Sequence, residues 1–231
     1  GGNVAIFAAF GLGGTAGLGL LRNGAYRRVR PEEGFPETGA FSLLDAGRGR
    51  LLAGGRDTLV EFDGKSWRVI RQDLDRVRSM VWDREGALWL ASGTGTHRYH
   101  NGLWLTNTVD DGLPSTYVSA VLQDSRGRLW AATTRGISWY DRGADLWPPE
   151  TVIRADKNLR EATPGGEVRL LFSGIDKWQY TTTDRLLFSY RLDGGQWTPF
   201  QAVNLASYQE LRAGQHRFEV RAMDRNGNID P

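Results

Sequence analysis

The sequence predicts an all-β chain. Three observations predict it: a turn-and-strand unit recurring about every 40 residues through the first two thirds, an abundance of Trp and Gly, and period-two hydrophobic alternation in the last third. The 231 residues include nine Trp and 30 Gly. Trp is a large apolar payload and Gly supplies the positive φ of tight turns, so many short strands joined by many turns would use both. With 40% hydrophobic and 24% charged residues the chain has the make-up of an ordinary globular protein. Lys and Arg outnumber Asp and Glu by only 29 to 27, too narrow a margin for a nucleic-acid face. Cys is absent, which removes disulfides and Cys-based metal sites; no cofactor is expected.

The repeat is clearest at Asp83-Arg84-Glu85-Gly86-Ala87-Leu88-Trp89, which returns as Asp124-Ser125-Arg126-Gly127-Arg128-Leu129-Trp130. A looser copy, Asp45 to Leu52, has one extra turn residue and Leu52 in place of Trp, and Gly2 to Ile6 fits the tail of an earlier one. Asn23-Gly24, Asp63-Gly64 and Asn101-Gly102 keep the same time, at intervals of 40 and 38. Each period reads as four short strands. In the best copy these are Val118 to Gln123, Leu129 to Thr133, Gly136 to Tyr140 and a weak fourth near Asp145 to Trp147. The Asp side chain accepts from amides just ahead of it while Gly turns left-handed, and Asn-Gly or Asp-Gly is a strong hairpin signal. Four-stranded units of this length are propeller blades, so about 3.5 blades over residues 1–147 are expected. Trp89 and Trp130 would lie buried between neighbouring sheets. An arc of this size cannot close a ring, so further blades or another chain are expected as partners.

The Asp-x-x-Gly-x-Leu-Trp unit, the Gly-rich turn after it, and Gly112-Leu113-Pro114-Ser115 resemble the two-component regulator propeller repeat. The resemblance implies the periplasmic or extracellular sensor region of a membrane-anchored, dimeric bacterial receptor of the histidine kinase type, including hybrid kinases that detect polysaccharide fragments. In sialidase-type propellers Gly and Trp follow Asp by two and five residues. Here they follow by three and six, which argues against that hydrolase class.

Trp147-Pro148-Pro149 breaks the rhythm, because Pro cannot donate to a sheet ladder, and a second domain is expected over 148–231. Val168 to Phe172, Leu186 to Leu192 and His216 to Ala222 alternate as half-buried strands do, in a segment the size of an immunoglobulin-like β-sandwich. Phe188 to Phe200, followed by Leu211 to Asn228, is similar to the three-tyrosine domain that follows such propellers. His216 and Phe218 stand where many members carry Tyr. The chain begins on Gly1 and ends soon after Asn226-Gly227-Asn228, so a fragment with a truncated sandwich is expected.

Asn3 to Leu21 lacks charge and holds five glycines between Gly11 and Gly19. It can be read as a membrane span or a phosphate-binding loop, but no ribose-binding acid follows at the right distance, and a blade hairpin explains it better. His97, His100 and His216 lack metal-ligand spacing, so no metal is expected. Asp73 with Asp75, and Asp110 with Asp111, read as solvated loop charges rather than acid pairs. Recognition is better placed at one mouth of the arc, where loops between strands two and three and between blades crowd together. These carry Arg56, Asp57, Thr94, Asp110, Asp111, Thr116, Tyr117, Thr134 and Arg135. Of these, Arg56, Thr94, Tyr117 and Arg135 are the expected contacts for an oligosaccharide or other small polar ligand. Asp83, Gly86, Trp89, Asp124, Gly127 and Trp130 serve the repeat itself. The function expected is non-catalytic sensing and signal relay. A propeller lyase or glycosidase and a protein-interaction scaffold are the alternatives.

Overall fold

The structure is a computed structural model that describes residues 4–9, 17–22, 24–35, 39–154 and 167–231. The chain divides into two compact units, Gly1–Asp141 and Arg142–Pro231.

The first unit is built of four antiparallel sheets in chain order. They comprise β1 (Val4–Ala9), β2 (Gly17–Arg22) and β3 (Ala25–Arg28); β4 (Ser42–Gly47), β5 (Arg50–Gly54), β6 (Leu59–Phe62) and β7 (Trp67–Arg71); β8 (Ser79–Trp82), β9 (Leu88–Ser92), β10 (Gly95–His100) and β11 (Leu103–Asn107); and β12 (Val118–Gln123), β13 (Leu129–Thr133) and β14 (Gly136–Tyr140). Within each sheet every strand pairs with its chain neighbour, as in a propeller blade. Successive sheets pack face to face. Leu18 meets Ala53 and Val60; Leu52 and Leu59 meet Leu88 and Leu90; Trp89 and Ala91 meet Val118, Val121, Leu129 and Ala131. Burying each such side chain contributes about 1.5 to 3 kcal/mol. First strands are also tied by hydroxyls: Ser42 donates to the Val77 carbonyl (2.7 Å) and Ser79 to that of Val121 (3.3 Å). On either side of the glycines the N-terminal stretch forms the paired antiparallel strands β1 and β2, with Val4 opposite Arg22, rather than a membrane-spanning helix. Most of its glycine-rich middle, 10–16, lies outside the described residues. Among the described residues no helix is long and apolar enough to cross a membrane.

The Asp-x-x-Gly turns show why the spacing to Trp is six. Asp83 Oδ1 accepts the amides of Glu85 (3.0 Å) and Ala87 (2.8 Å), while Oδ2 accepts the Trp89 indole N–H at 2.8 Å. Asp124 repeats the arrangement with Arg126, Arg128 and Trp130, the last at 3.0 Å. Gly86 and Gly127 take φ of 80° and 85°, a region costly for other residues. One carboxylate thus closes the turn and clamps the aromatic. The two Trp residues are equivalent in register, but only Trp89 is buried, at 2% exposure. Trp130 is half-buried, contrary to expectation, because no further described sheet of this unit covers its face; Trp139 lies 6.5 Å away on the same face.

The expected fourth strand near Asp145 to Trp147 does not form, and the last sheet has three strands. Asp145 instead belongs to the second unit: its carbonyl accepts the side-chain amides of Asn226 (3.2 Å) and Asn228 (3.0 Å), and its Oδ1 accepts the Trp147 N–H (3.0 Å).

The second unit is a two-sheet sandwich. One sheet has the order β15 (Glu150–Arg154), β16 (Val168–Ile175), β18 (Leu205–Tyr208), and the other pairs β17 (Leu187–Leu192) with β19 (Phe218–Met223). Phe172, Leu186, Phe188, Ala206 and Ala222 fill the space between them, with Tyr190, Tyr208 and Phe218 around the edge. Gly174 lets the sheets approach, since a side-chain carbon there would stand 2.7 Å from Leu186 and 3.2 Å from Ala222.

Candidate ligand-binding site

Up-and-down pairing sends the β5–β6, β9–β10 and β13–β14 turns, and the connections that join β7 to β8 and β11 to β12, to one end of the first unit. The Asp-x-x-Gly and Asn-Gly turns occupy the other end. At the first end the connection 72–78 is laid between two neighbouring turns. Leu74 N–H donates to Asp57 O (3.0 Å), Arg76 N–H to Arg56 O (2.5 Å) and Val77 N–H to Gly55 O (3.0 Å), while Gly93 N–H donates to Asp75 O (2.6 Å). Gly93 leaves room for the Asp75 carboxylate, which would have to shift to admit a side-chain carbon there. The next connection is fastened alike: Thr134 N–H donates to Tyr117 O (3.2 Å) and its hydroxyl to Ser115 Oγ (3.0 Å). Val77 and Val118, both fully buried, anchor the starts of β8 and β12.

These contacts assemble a charged cluster on an aromatic ring. Arg76 grips Asp75 with two bonds, 2.7 and 3.0 Å. The Arg76 hydrogen bond, then the charges of Arg76, Arg78 and Arg56, hold the Asp75 carboxyl below the usual carboxylate range. The Arg78 guanidinium lies 4.6 Å from the centre of the Tyr117 ring and that of Arg76 lies 5.9 Å away. Among the described residues Arg78 has no ion-pair partner, and its Nε is buried without a hydrogen bond.

The four residues singled out from sequence all lie at this end. Arg56 and Tyr117 are brought together through Asp75, Arg76 and Arg78. Arg135 is exposed at the β13–β14 turn, where its N–H donates to Thr133 Oγ1 (3.2 Å). Thr94 is exposed, yet its hydroxyl turns inward to Ser92 Oγ (3.0 Å) and His97 Nε2 (3.2 Å). Asp111 is committed to a cap, its carboxylate accepting the Thr108 N–H at 2.8 Å. Sequence reasoning passed over Arg76 and Arg78 and counted Asp75 with Asp73 as a solvated pair. The one local signal was alternation of charge about the apolar Val77.

Asp75 is kept ionised by Arg76 and so is a poor proton donor near neutral pH. Ser92 Oγ and His97 Nε2 are 2.8 Å apart, but Ser92 is fully buried and the other ring nitrogen meets Thr106 Oγ1 (2.9 Å) rather than a carboxylate. Burial, and secondarily the Arg71 charge, push His97 down to about 3, so the ring is neutral at physiological pH. Among the described residues no group of His, Asp and Glu could hold a metal ion.

Residues 112–135 match the family model described as the two component regulator propeller, so the last repeat of the first unit is of that kind. No curated protein matches the sequence. Among solved structures, the chain is similar to the extracellular domain assigned to the hybrid two component system BT3049 of B. thetaiotaomicron. The likeness has 17% identity and a TM-score of 0.55, and covers 94% of this chain and 34% of that one. It establishes the propeller fold. Lower-scoring matches are the extracellular domain assigned to the hybrid two component system BT4673 of the same organism (13% identity, TM-score 0.44, 94% of this chain and 33% of that one) and PorZ of Porphyromonas gingivalis (12%, 0.42, 96% and 35%). The chain spans about a third of the length of these structures.

Proposed function

We propose that this chain is a ligand-sensing and signal-relaying segment of a two-component sensor, in the periplasmic or extracellular part of a membrane-anchored bacterial receptor, and that it turns over no substrate. The propeller carries recognition at the mouth formed by Arg56, Thr94, Tyr117 and Arg135 together with Asp75, Arg76 and Arg78. The second unit is a three-tyrosine-type sandwich that passes the signal on. The observation that carries the reading is Arg78: a guanidinium with no ion-pair partner among the described residues, lying over the Tyr117 ring beside the Asp75–Arg76 pair. Such a group is ready to bind a carboxylate or hydroxyl of an oligosaccharide, uronates included, while the acid beside it, Asp75, is committed to Arg76. The propeller fold and the regulator-propeller repeat support the setting.

Calorimetry of the complete receptor ectodomain against neutral and uronate-bearing oligosaccharides, with a product assay on the same mixtures, tests this. Arg78→Ala and Arg135→Ala should each weaken binding by about 1 to 3 kcal/mol, the worth of a hydrogen bond to a charged group. Cleavage of the ligand would defeat the sensor reading. Unchanged affinity in both variants would move the site elsewhere.

A further inference from the structure

The sandwich carries a second surface unrelated to the mouth. Two short loops, 142–149 before β15 and 176–186 after β16, emerge side by side because Glu150 pairs with Ile175. They expose Trp147 and Trp178, each 57% accessible, and Tyr180 at 64%, beside the exposed Leu146 and Ile175. Lys177 joins them: its Nζ lies 4.6 Å from the Trp147 ring and 5.2 Å from that of Trp178.

The rings are mounted rather than dangling. Asp145 and Asp176, 4% and 2% exposed, are buried in the same two loops. Asp145 Oδ1 accepts the Trp147 N–H (3.0 Å), and Asp176 Oδ2 accepts the Thr181 N–H (2.7 Å) while its carbonyl accepts that of Gln179 (3.1 Å). Thr181 Oγ1 in turn accepts the Arg225 N–H (3.1 Å), tying the second loop to the turn that also holds Asp145. Burying two carboxylates is costly unless their bonds are well satisfied. Here those bonds hold large apolar rings in water, the mark of a surface with a partner.

The cation identifies the partner. Protein interfaces favour Arg beside Trp and Tyr and are depleted in Lys, whereas Trp, Tyr and a Lys with its apolar stem make up the water–bilayer boundary. Only three of the chain's 29 basic residues are lysines, and one lies here. Glycan stacking fits less well, because the Lys177 ammonium already sits against both Trp rings. From this we infer that the loop pair Trp147–Lys177–Trp178–Tyr180 is a membrane-contact patch that seats the sandwich on the interfacial region of a phospholipid bilayer, with the Lys177 ammonium toward lipid phosphate.

Flotation of the full chain with phosphatidylcholine vesicles, with and without phosphatidylglycerol, tests it, paired with analytical ultracentrifugation in the absence of lipid. The wild-type chain should float with vesicles and its Trp emission should shift to the blue. Trp147→Ser with Trp178→Ser should lower the partition coefficient at least about tenfold with unchanged circular dichroism, as loss of two interfacial anchors requires. Lys177→Glu should reduce binding to the anionic vesicles several-fold more than to the neutral ones. Leu122→Ser with Trp139→Ser, which removes exposed apolar groups of the first unit, should bind as the wild type does. A wild-type chain that stays with the soluble fraction, or a double Trp variant that floats equally well, overturns the inference. So does a wild-type dimer that the double Trp variant converts to monomer without any vesicle binding, which would assign the patch to a second copy of the chain.

Discussion

Acidification should destabilise the first unit through one imidazole, in a pH range where carboxylates still contribute little. His97 is 2% exposed, with its nitrogens engaged by the hydroxyls of Ser92, Thr94 and Thr106. Burial and the Arg71 charge lower it from 6.5 to about 3. Above the unfolded value both states are neutral, and His97 imposes no pH dependence. Below it the unfolded chain takes up a proton that the native chain refuses, so stability falls with pH until the native ring also titrates. The slope is about 1.4 kcal/mol per pH unit, or about 2 kcal/mol lost by about pH 5. His216 acts oppositely in the same window, because the Arg212 carbonyl and then Asp193 raise it. A comparison with His97→Gln removes that contribution, since Gln keeps hydrogen-bonding capacity and does not titrate. Urea unfolding of both proteins at about pH 7.5 and pH 5 should show the variant gaining about 2 kcal/mol on the wild type. A relative gain below about 0.5 kcal/mol, or a His97 ring resonance titrating near its ordinary value, would refute the reasoning.

The two equivalent Trp residues should differ in worth: Trp89→Ala should cost about 3 to 5 kcal/mol in urea unfolding and Trp130→Ala about half as much, since only the first loses a fully packed environment. Equal costs would mean that the Trp130 face is covered in solution. The His216 imidazolium, donating to Arg212 O (2.8 Å) and Asp193 Oδ2 (2.7 Å), should titrate above its ordinary value by NMR and drop on Asp193→Asn. Its stabilising contribution is present below the unfolded value and is lost as pH rises through the folded one.

What the sequence disclosed and what it hid divide by the range of the forces involved. The strands Val118–Gln123, Leu129–Thr133 and Gly136–Tyr140 were legible to the residue, because their ends are set by turn chemistry within a few positions: Asp124 and Gly127 on one side, the Thr133 hydroxyl bonding to Gly136 O on the other. The Asp-to-Trp clamp is equally local, spanning six residues. The segment Asp75 to Arg78 has neither turn signature nor period. It joins the cluster only when Gly55, Arg56 and Asp57 from one turn and Gly93 from another bond to it, which no window of sequence displays. Asp145 fails as a strand for a similar reason, since the amides that hold it come from Asn226 and Asn228, about 80 residues on. Thr94 marks the remaining gap. Its place at the mouth followed from the repeat, but the direction of its hydroxyl depends on Ser92 and His97 beneath it. A repeat can therefore name the loops at one end of the fold, while the side chains free to reach outward there are chosen by what the rest of the fold leaves unpaired. By that criterion Arg78 outranks Thr94, and Thr94→Ala should disturb the hydroxyl–imidazole network more than it disturbs binding.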